Sequence, residues 1–129
     1  MPELLFDTAF FIDLRRNRDS GASEIWRRIE TAELTGSYSP VTAYELWVGR
    51  RFTREEEVFY LAAFSLLEEA MVTSSATIAA AERLRTTPER TEKLFRDALI
   101  AAAASERGEI VVTRNVRDFE SIGARVRAY

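Results

Sequence analysis

The sequence predicts an α/β protein: a mostly parallel sheet of about five strands, covered by helices on both sides in three layers. Two observations carry this. Short apolar runs alternate with longer segments of helical spacing along the whole chain, and the clearest of those runs, Glu109-Ile110-Val111-Val112-Thr113, lies directly after the longest helical segment. With 129 residues, 47% hydrophobic and 30% charged, the chain is expected to form one compact domain over residues 1–129.

Glu3-Leu4-Leu5-Phe6 is an apolar run ended by Asp7-Thr8, as expected for a buried strand entering a turn. The segment that follows, to about Leu14, is apolar with a single acid, Asp13. From Ser20 the spacing of Ile25, Trp26, Ile29 and Leu34 predicts an amphipathic helix stopped by Gly36. Residues 37–41 make a weak strand, acceptable only if Pro40 ends it. A helix is expected from Thr42 to about Arg51, and Thr53 with Glu56 forms a capping box for another that reaches Glu69, with Val58, Leu61, Ala62 and Leu66 facing inward.

Met71-Val72-Thr73 is the expected third strand, followed by a helix from Thr77 to about Arg85 capped by Ser74 or Ser75. Thr87-Pro88 offers an N-cap with proline in the first helical position for a helix ending at Gly108. A turn or short helix from Asn115 to Ser121 then leads to an edge strand over residues 124–128. Phe52, Phe59, Tyr60 and Phe64 are either core or a surface for a partner.

Composition excludes much chemistry. Without cysteine there are no disulfides, thiolate metal sites or thiol nucleophiles, and without histidine there are no Ser-His-Asp triads or imidazole bases. Carboxylates, hydroxyls, guanidinium groups, one lysine or a bound metal must do the work. The longest apolar run, Ala98 to Ala104, is far short of a membrane span. The segment from Met1 to Asp7 carries acids where a secretory signal carries positive charge, so a cytoplasmic location and no membrane partner are expected. Net charge is -3 and all basic residues except Lys93 are arginines, which leaves local phosphate-tracking clusters open.

In open parallel α/β sheets ligands bind beyond the C-terminal strand ends, and four acids are expected there. Asp7 follows the first strand, where it could equally cap a helix. Glu45 shares its helical face with Val41, Val48, Gly49 and Phe52, a costly place for an acid unless it is paired with an arginine or bound to a metal. Asp97 has Ile100, Ala101 and Ala104 on its side of the helix, and otherwise forms an exposed pair with Lys93. Asp118 follows the best strand, or completes a capping box with Asn115.

Taken together, Leu4-Leu5-Phe6-Asp7-Thr8, Thr42-Ala43-Tyr44-Glu45-Leu46-Trp47-Val48-Gly49, Asp97-Ala98-Leu99-Ile100-Ala101-Ala102-Ala103-Ala104 and Val112-Thr113-Arg114-Asn115-Val116-Arg117-Asp118-Phe119 resemble the PIN-domain ribonucleases, and among them the VapC toxins. The resemblance spans nearly the whole chain. The one departure is in residues 86–93, which lack the glycine often found in that loop. The resemblance implies an Mg²⁺- or Mn²⁺-dependent RNA endonuclease that leaves 5′-phosphate and 3′-hydroxyl ends. It implies an acidic metal pocket of Asp7, Glu45, Asp97 and Asp118, with Thr8, Thr113 and Asn115 around it. It further implies a homodimer held inactive by a VapB-type antitoxin.

Clustered carboxylates repel one another, and a hard, oxygen-seeking divalent ion relieves that repulsion. Asp7, Asp97 and Asp118 are expected as direct ligands, with Glu45 as ligand or water activator. Arg15, Arg50, Arg114 and Arg117, within the clusters that follow Asp7, follow Glu45 and flank Asn115, are candidate RNA contacts. The alternatives are a PIN-type RNA-processing nuclease without an antitoxin and a catalytically silent module on the same fold. A phosphoacceptor receiver domain lacks its acid in the third strand, and neither GxGxxG nor GxxxxGK[ST] is present for a nucleotide-binding fold.

Overall fold

The computed structural model describes residues 3–88 and 90–129. Five strands form one sheet in the order β3-β2-β1-β4-β5, and every neighbouring pair is parallel. In chain order the elements are β1 (Leu4–Phe6), α1 (Thr8–Arg16), α2 (Ser20–Glu30), β2 (Gly36–Tyr38), α3 (Pro40–Trp47), α4 (Arg54–Phe64), β3 (Glu68–Glu69), α5 (Ser74–Arg85), α6 (Glu92–Arg107), β4 (Ile110–Val112), α7 (Val116–Ser121) and β5 (Val126–Arg127). The expected fold class is therefore observed, with a sheet that is parallel throughout.

β1 is the central strand, with Leu5 level with Ser37 on one side and Val111 on the other. Because successive strand residues point to opposite faces, the chain builds two unlike cores. Leu4, Phe6 and Val112 pack with Phe10, Phe11, Trp26, Leu46, Tyr60 and Phe64 from α1 to α4. Leu5 and Val111 pack on the other face with Ala80, Ala98, Ala101, Ala104 and Phe119 from α5 to α7. One layer is filled by rings, with the Phe6 and Phe10 centroids 4.4 Å apart; the other uses alanines, which let α5 and α6 lie close together.

Several sequence expectations are corrected. The helix from Ser20 stops at Glu30, where Ala32 takes a left-handed φ of 61°, and Gly36 instead opens β2. A Cβ on Gly36 would meet the Phe6 ring at 2.5 Å, so that position needs glycine for space. Pro40 does end the strand, as the first residue of α3, which finishes at Trp47 rather than near Arg51. α4 has its Thr53 cap but ends at Phe64, and its faces are reversed. Tyr60, Ala63 and Phe64 are buried, while Val58, Leu61, Ala62 and Leu66 are exposed. The large rings bury more apolar area than the aliphatic stripe and take the core side. Of the four rings left open between core and surface, Tyr60 and Phe64 are core, and Phe52 and Phe59 pack against it.

The third strand is Glu68–Glu69 rather than 71–73, and Met71 is exposed. Two acids read poorly as a strand, but here they form a short charged sheet edge beside β2. α5 begins at Ser74 with Thr73 as its cap, and α6 begins at Glu92 with Thr91 as its cap. Thr87 does not cap α6, because its hydroxyl donates to the Arg83 carbonyl at the end of α5. Met1 and Pro2, part of the N-terminal reading, and Glu89, in the stretch before α6, lie outside the described residues. Among the described residues no helix is long and apolar enough to cross a membrane.

Gly108 ends α6 as expected, at φ 70°, with open space around its Cα. Gly108→Ala therefore adds no clash and should cost about 1 kcal/mol through the backbone conformation alone, read as a shift in a urea unfolding curve.

Candidate metal centre

The C-terminal strand ends bring together side chains far apart in sequence. Asp7 leaves β1 and caps α1, its Oδ1 accepting the Phe10 N–H at 3.0 Å. Its Oδ2 accepts the Thr113 hydroxyl at 2.6 Å from the end of β4. The capping reading of Asp7 is therefore observed, with one oxygen on the helix N-terminus and the other turned to β4. Thr113 Oγ1 also accepts the Asn115 N–H at 2.8 Å, so the β4–α7 turn is tied to the same hydroxyl.

Glu45 stands on α3, with Oε1 accepting from Thr8 at 2.7 Å and Oε2 from Arg96 Nε at 2.9 Å. Half of the apolar face assigned to it is observed: Val41 and Phe52 pack against the cores, whereas Val48 and Gly49 lie past the end of α3, Val48 58% exposed and Gly49 with nothing near, so the mostly covered Glu45 side chain stands close to the rim. An arginine does pair with it, and that arginine, Arg96, is the neighbour of Asp97 on α6. Asp97 is buried on α6, and Lys93 Nζ donates to its Oδ2 at 2.7 Å. The pair with Lys93 is thus real, but it is not the exposed pair considered from sequence.

Asp118 is exposed on α7, its Oδ2 3.7 Å from the same Lys93 Nζ. The capping-box explanation for it fails, because Asn115 makes no side-chain cap bond. A cavity of about 520 Å³ opens beside Lys93, Asp97 and Asp118, bounded by Thr87, Thr91 and Ser121.

The electrostatics tie these acids into one neighbourhood. Burial pushes the Asp7 carboxyl up to about 6, against the hydrogen bonds from Thr113 and Phe10, and the negative Asp97 adds to the rise. Burial also raises Asp97, opposed by Lys93 and reinforced by Glu45 and Asp118. Lys93 is itself raised: burial works against its charge, and Asp97, Asp118 and Asp7 together outweigh that. Glu109, which precedes β4, is raised by burial in the same way while bonded to Ser37 and Arg107, so what sets Asp7 and Asp97 apart is their shared place beyond the C-terminal strand ends.

In chemistry the donors fit a hard divalent cation: they are all oxygens, carboxylates with hydroxyls behind them, and a cation, the Lys93 ammonium, already sits between two of them. As they stand, no three acids among the described residues converge closely enough to hold one ion.

The four arginines singled out from sequence divide into two kinds. Arg15 donates to the Tyr60 hydroxyl at 3.1 Å and approaches Glu56, and Arg114 pairs with the buried Asp13 at 2.7 Å, beside Tyr129. Arg50 and Arg117 are exposed. Sequence reasoning missed Arg96 as the partner of Glu45, since no spacing within one helix links α3 to α6.

The chain belongs to the PIN domain family, which matches residues 4–124. Its fold is shared by solved toxin-antitoxin structures over almost their full length. VapBC2 of Rickettsia felis, bound to a promoter DNA fragment, has a TM-score of 0.78 at 15% identity, covering 98% of each chain. DNA-bound VapBC of Salmonella typhimurium reaches 0.75 at 27% identity, covering 99% of this chain and 98% of that one. VapC20 of Mycobacterium tuberculosis, a toxin that cleaves the sarcin-ricin loop, reaches 0.70 at 21% identity, covering 95% and 96%. No curated protein sequence matches the chain significantly.

If Thr113 orients Asp7 for a cation, removing its hydroxyl should weaken that cation's binding. Thr113→Val is expected to lower Mn²⁺ affinity about tenfold in calorimetry, in line with the loss of outer hydrogen bonds at other metal sites. Unchanged affinity would separate Thr113 from the site.

Proposed function

We propose that this PIN domain is a divalent-metal-dependent endoribonuclease and the toxin half of a VapBC-type pair. The observation that carries the reading is the grouping, at the C-terminal edge of a PIN fold, of Asp7, Asp97 and Asp118 around the Lys93 ammonium, with Glu45, held by Arg96, close enough to act on Asp97. Asp7, Asp97 and Asp118 would ligate Mg²⁺, with Mn²⁺ as a substitute, and Glu45 would ligate it or position a water. When bound, the metal supplies Lewis acidity toward the phosphodiester and a water acidic enough to attack it.

The chain's own residues do the rest. Thr113 and the α1 N-terminus hold Asp7 in one rotamer, and Thr8 and Arg96 hold Glu45. Asn115 begins the turn that delivers Asp118. Arg50 and Arg117 are exposed and suited to RNA phosphates, whereas Arg15 is held by Tyr60 and the exposed Arg114 is paired with Asp13. An antitoxin of the VapB type and a second copy of the chain are the proposed protein partners. The exposed Val58 and Leu61 on α4 with Leu66 just past its end, and Tyr44 and Phe95 on α3 and α6, give such partners apolar surface to cover.

The test is calorimetric titration of Mn²⁺ into wild type and Asp97→Asn, paired with cleavage of an RNA pool and analysis of its new ends. Saturable binding lost in the variant, with 5′-phosphate products only from wild type, supports the reading. Absence of binding by wild type overturns it.

A further inference from the structure

Lys93 is the single lysine in the chain. A lysine one turn before an aspartate is the weaker orientation of a helical pair, worth a few tenths of a kcal/mol when exposed. Here the partner carboxylate is buried, and a second one, Asp118 on another helix, lies within 3.7 Å of the same nitrogen. The ammonium thus bridges α6 and α7 across two of the four acids, at the mouth of the cavity described above. Its side chain is half exposed, so it reaches into the cluster from the rim and has open space to withdraw into.

Resting on the reading of this edge as a divalent-metal site, we infer that Lys93 is a tethered cation that competes with the metal for Asp97 and Asp118, so that metal binding is an exchange of one cation for another. Mutually repelling carboxylates need a counter-charge to stay together in a folded protein. The ammonium supplies one that is monovalent, removable and part of the chain. Because only the fraction of molecules with Lys93 withdrawn can accept the ion, apparent affinity is reduced by that fraction. Lys93 thereby raises the metal concentration at which the site fills. The released ammonium stays on its helix at the rim, free to meet a phosphate.

Two measurements test this. In calorimetry, Lys93→Gln and Lys93→Met should each bind Mn²⁺ at least tenfold more tightly than wild type, while Asp97→Asn binds weakly or not at all. In wild type labelled with ¹³C at lysine Cε, the single side-chain resonance should move on Mg²⁺ saturation to the position of a solvent-exposed lysine. Equal affinity in wild type and both Lys93 variants, with binding still lost in Asp97→Asn, overturns the exchange and leaves the metal site standing. Tighter binding with an unmoved lysine resonance also overturns it, since the charge would then act only through its field. Failure of every variant and of wild type to bind overturns this inference and the metal site together.

Discussion

With Asp97 in its proposed role as metal ligand, Asp97→Asn should lower Mn²⁺ affinity and the proposed RNA cleavage by more than about 100-fold, because a lost ligand must cost more than the roughly 10–100-fold typical of outer-shell losses. The same substitution should leave thermal stability unchanged or raise it. Asp97 is buried at 5% exposure, and burial outweighs the help its ionised form receives from Lys93. Asn has nearly the same shape, keeps a carbonyl for the Lys93 ammonium to reach and removes a charge that the interior disfavours. A residue present for stability would behave in the opposite way, with melting temperature falling and metal affinity untouched. Paired calorimetry and thermal melts on one preparation therefore distinguish a functional acid from a structural ion pair, the two explanations the sequence left open for this position.

What was legible in the sequence follows from which signals are local. β1 and β4 are apolar runs covered on both faces, and Gly108 stops α6 through its own backbone, so each announces itself within a few residues. Asp7 and Asp118 could be placed beyond strand ends for the same reason. The buried face of α4 is not legible locally, because periodicity finds a stripe but not which of two apolar stripes is buried. Tyr60 and Phe64 won that contest by packing on Phe11 and Trp47, which lie in other elements. β3 is not legible locally, because two exposed glutamates become a strand only through backbone hydrogen bonds to β2, joined by the Ala70 N–H to the Tyr38 carbonyl just beyond it. The partners of the acids were hidden for the same cause. Thr113 reaches Asp7 across 106 residues and Arg96 reaches Glu45 across 51, distances no spacing rule can join.

Asp7→Asn should stabilise the metal-free protein at neutral pH and leave it nearly unchanged in acid. The Asp7 carboxyl is pushed up to about 6 in the fold, against an ordinary value of 3.8, chiefly by burial. Below both values it is protonated in folded and unfolded chains alike and contributes no pH dependence. Between them the folded chain keeps a proton that the unfolded chain has lost, so stability falls as pH rises. Above about 6 the full cost of a buried carboxylate is present, on the order of 3 kcal/mol. Asn keeps the cap on α1 through its carbonyl oxygen and offers Thr113 an amide in place of the second oxygen, so the variant lacks this slope. Urea unfolding in chelator at pH 4 and pH 7.5 reads the difference directly, because the other carboxyls that burial raises, Asp97 and Glu109, are common to both proteins. Wild type at least as stable as Asp7→Asn at pH 7.5 would overturn the expectation. Adding Mn²⁺ at about 100 times its Kd should then restore roughly 2.7 kcal/mol to wild type and almost none to the variant. A penalty built into the empty fold and cancelled by a bound cation is what a site selected for binding, rather than for stability, should show.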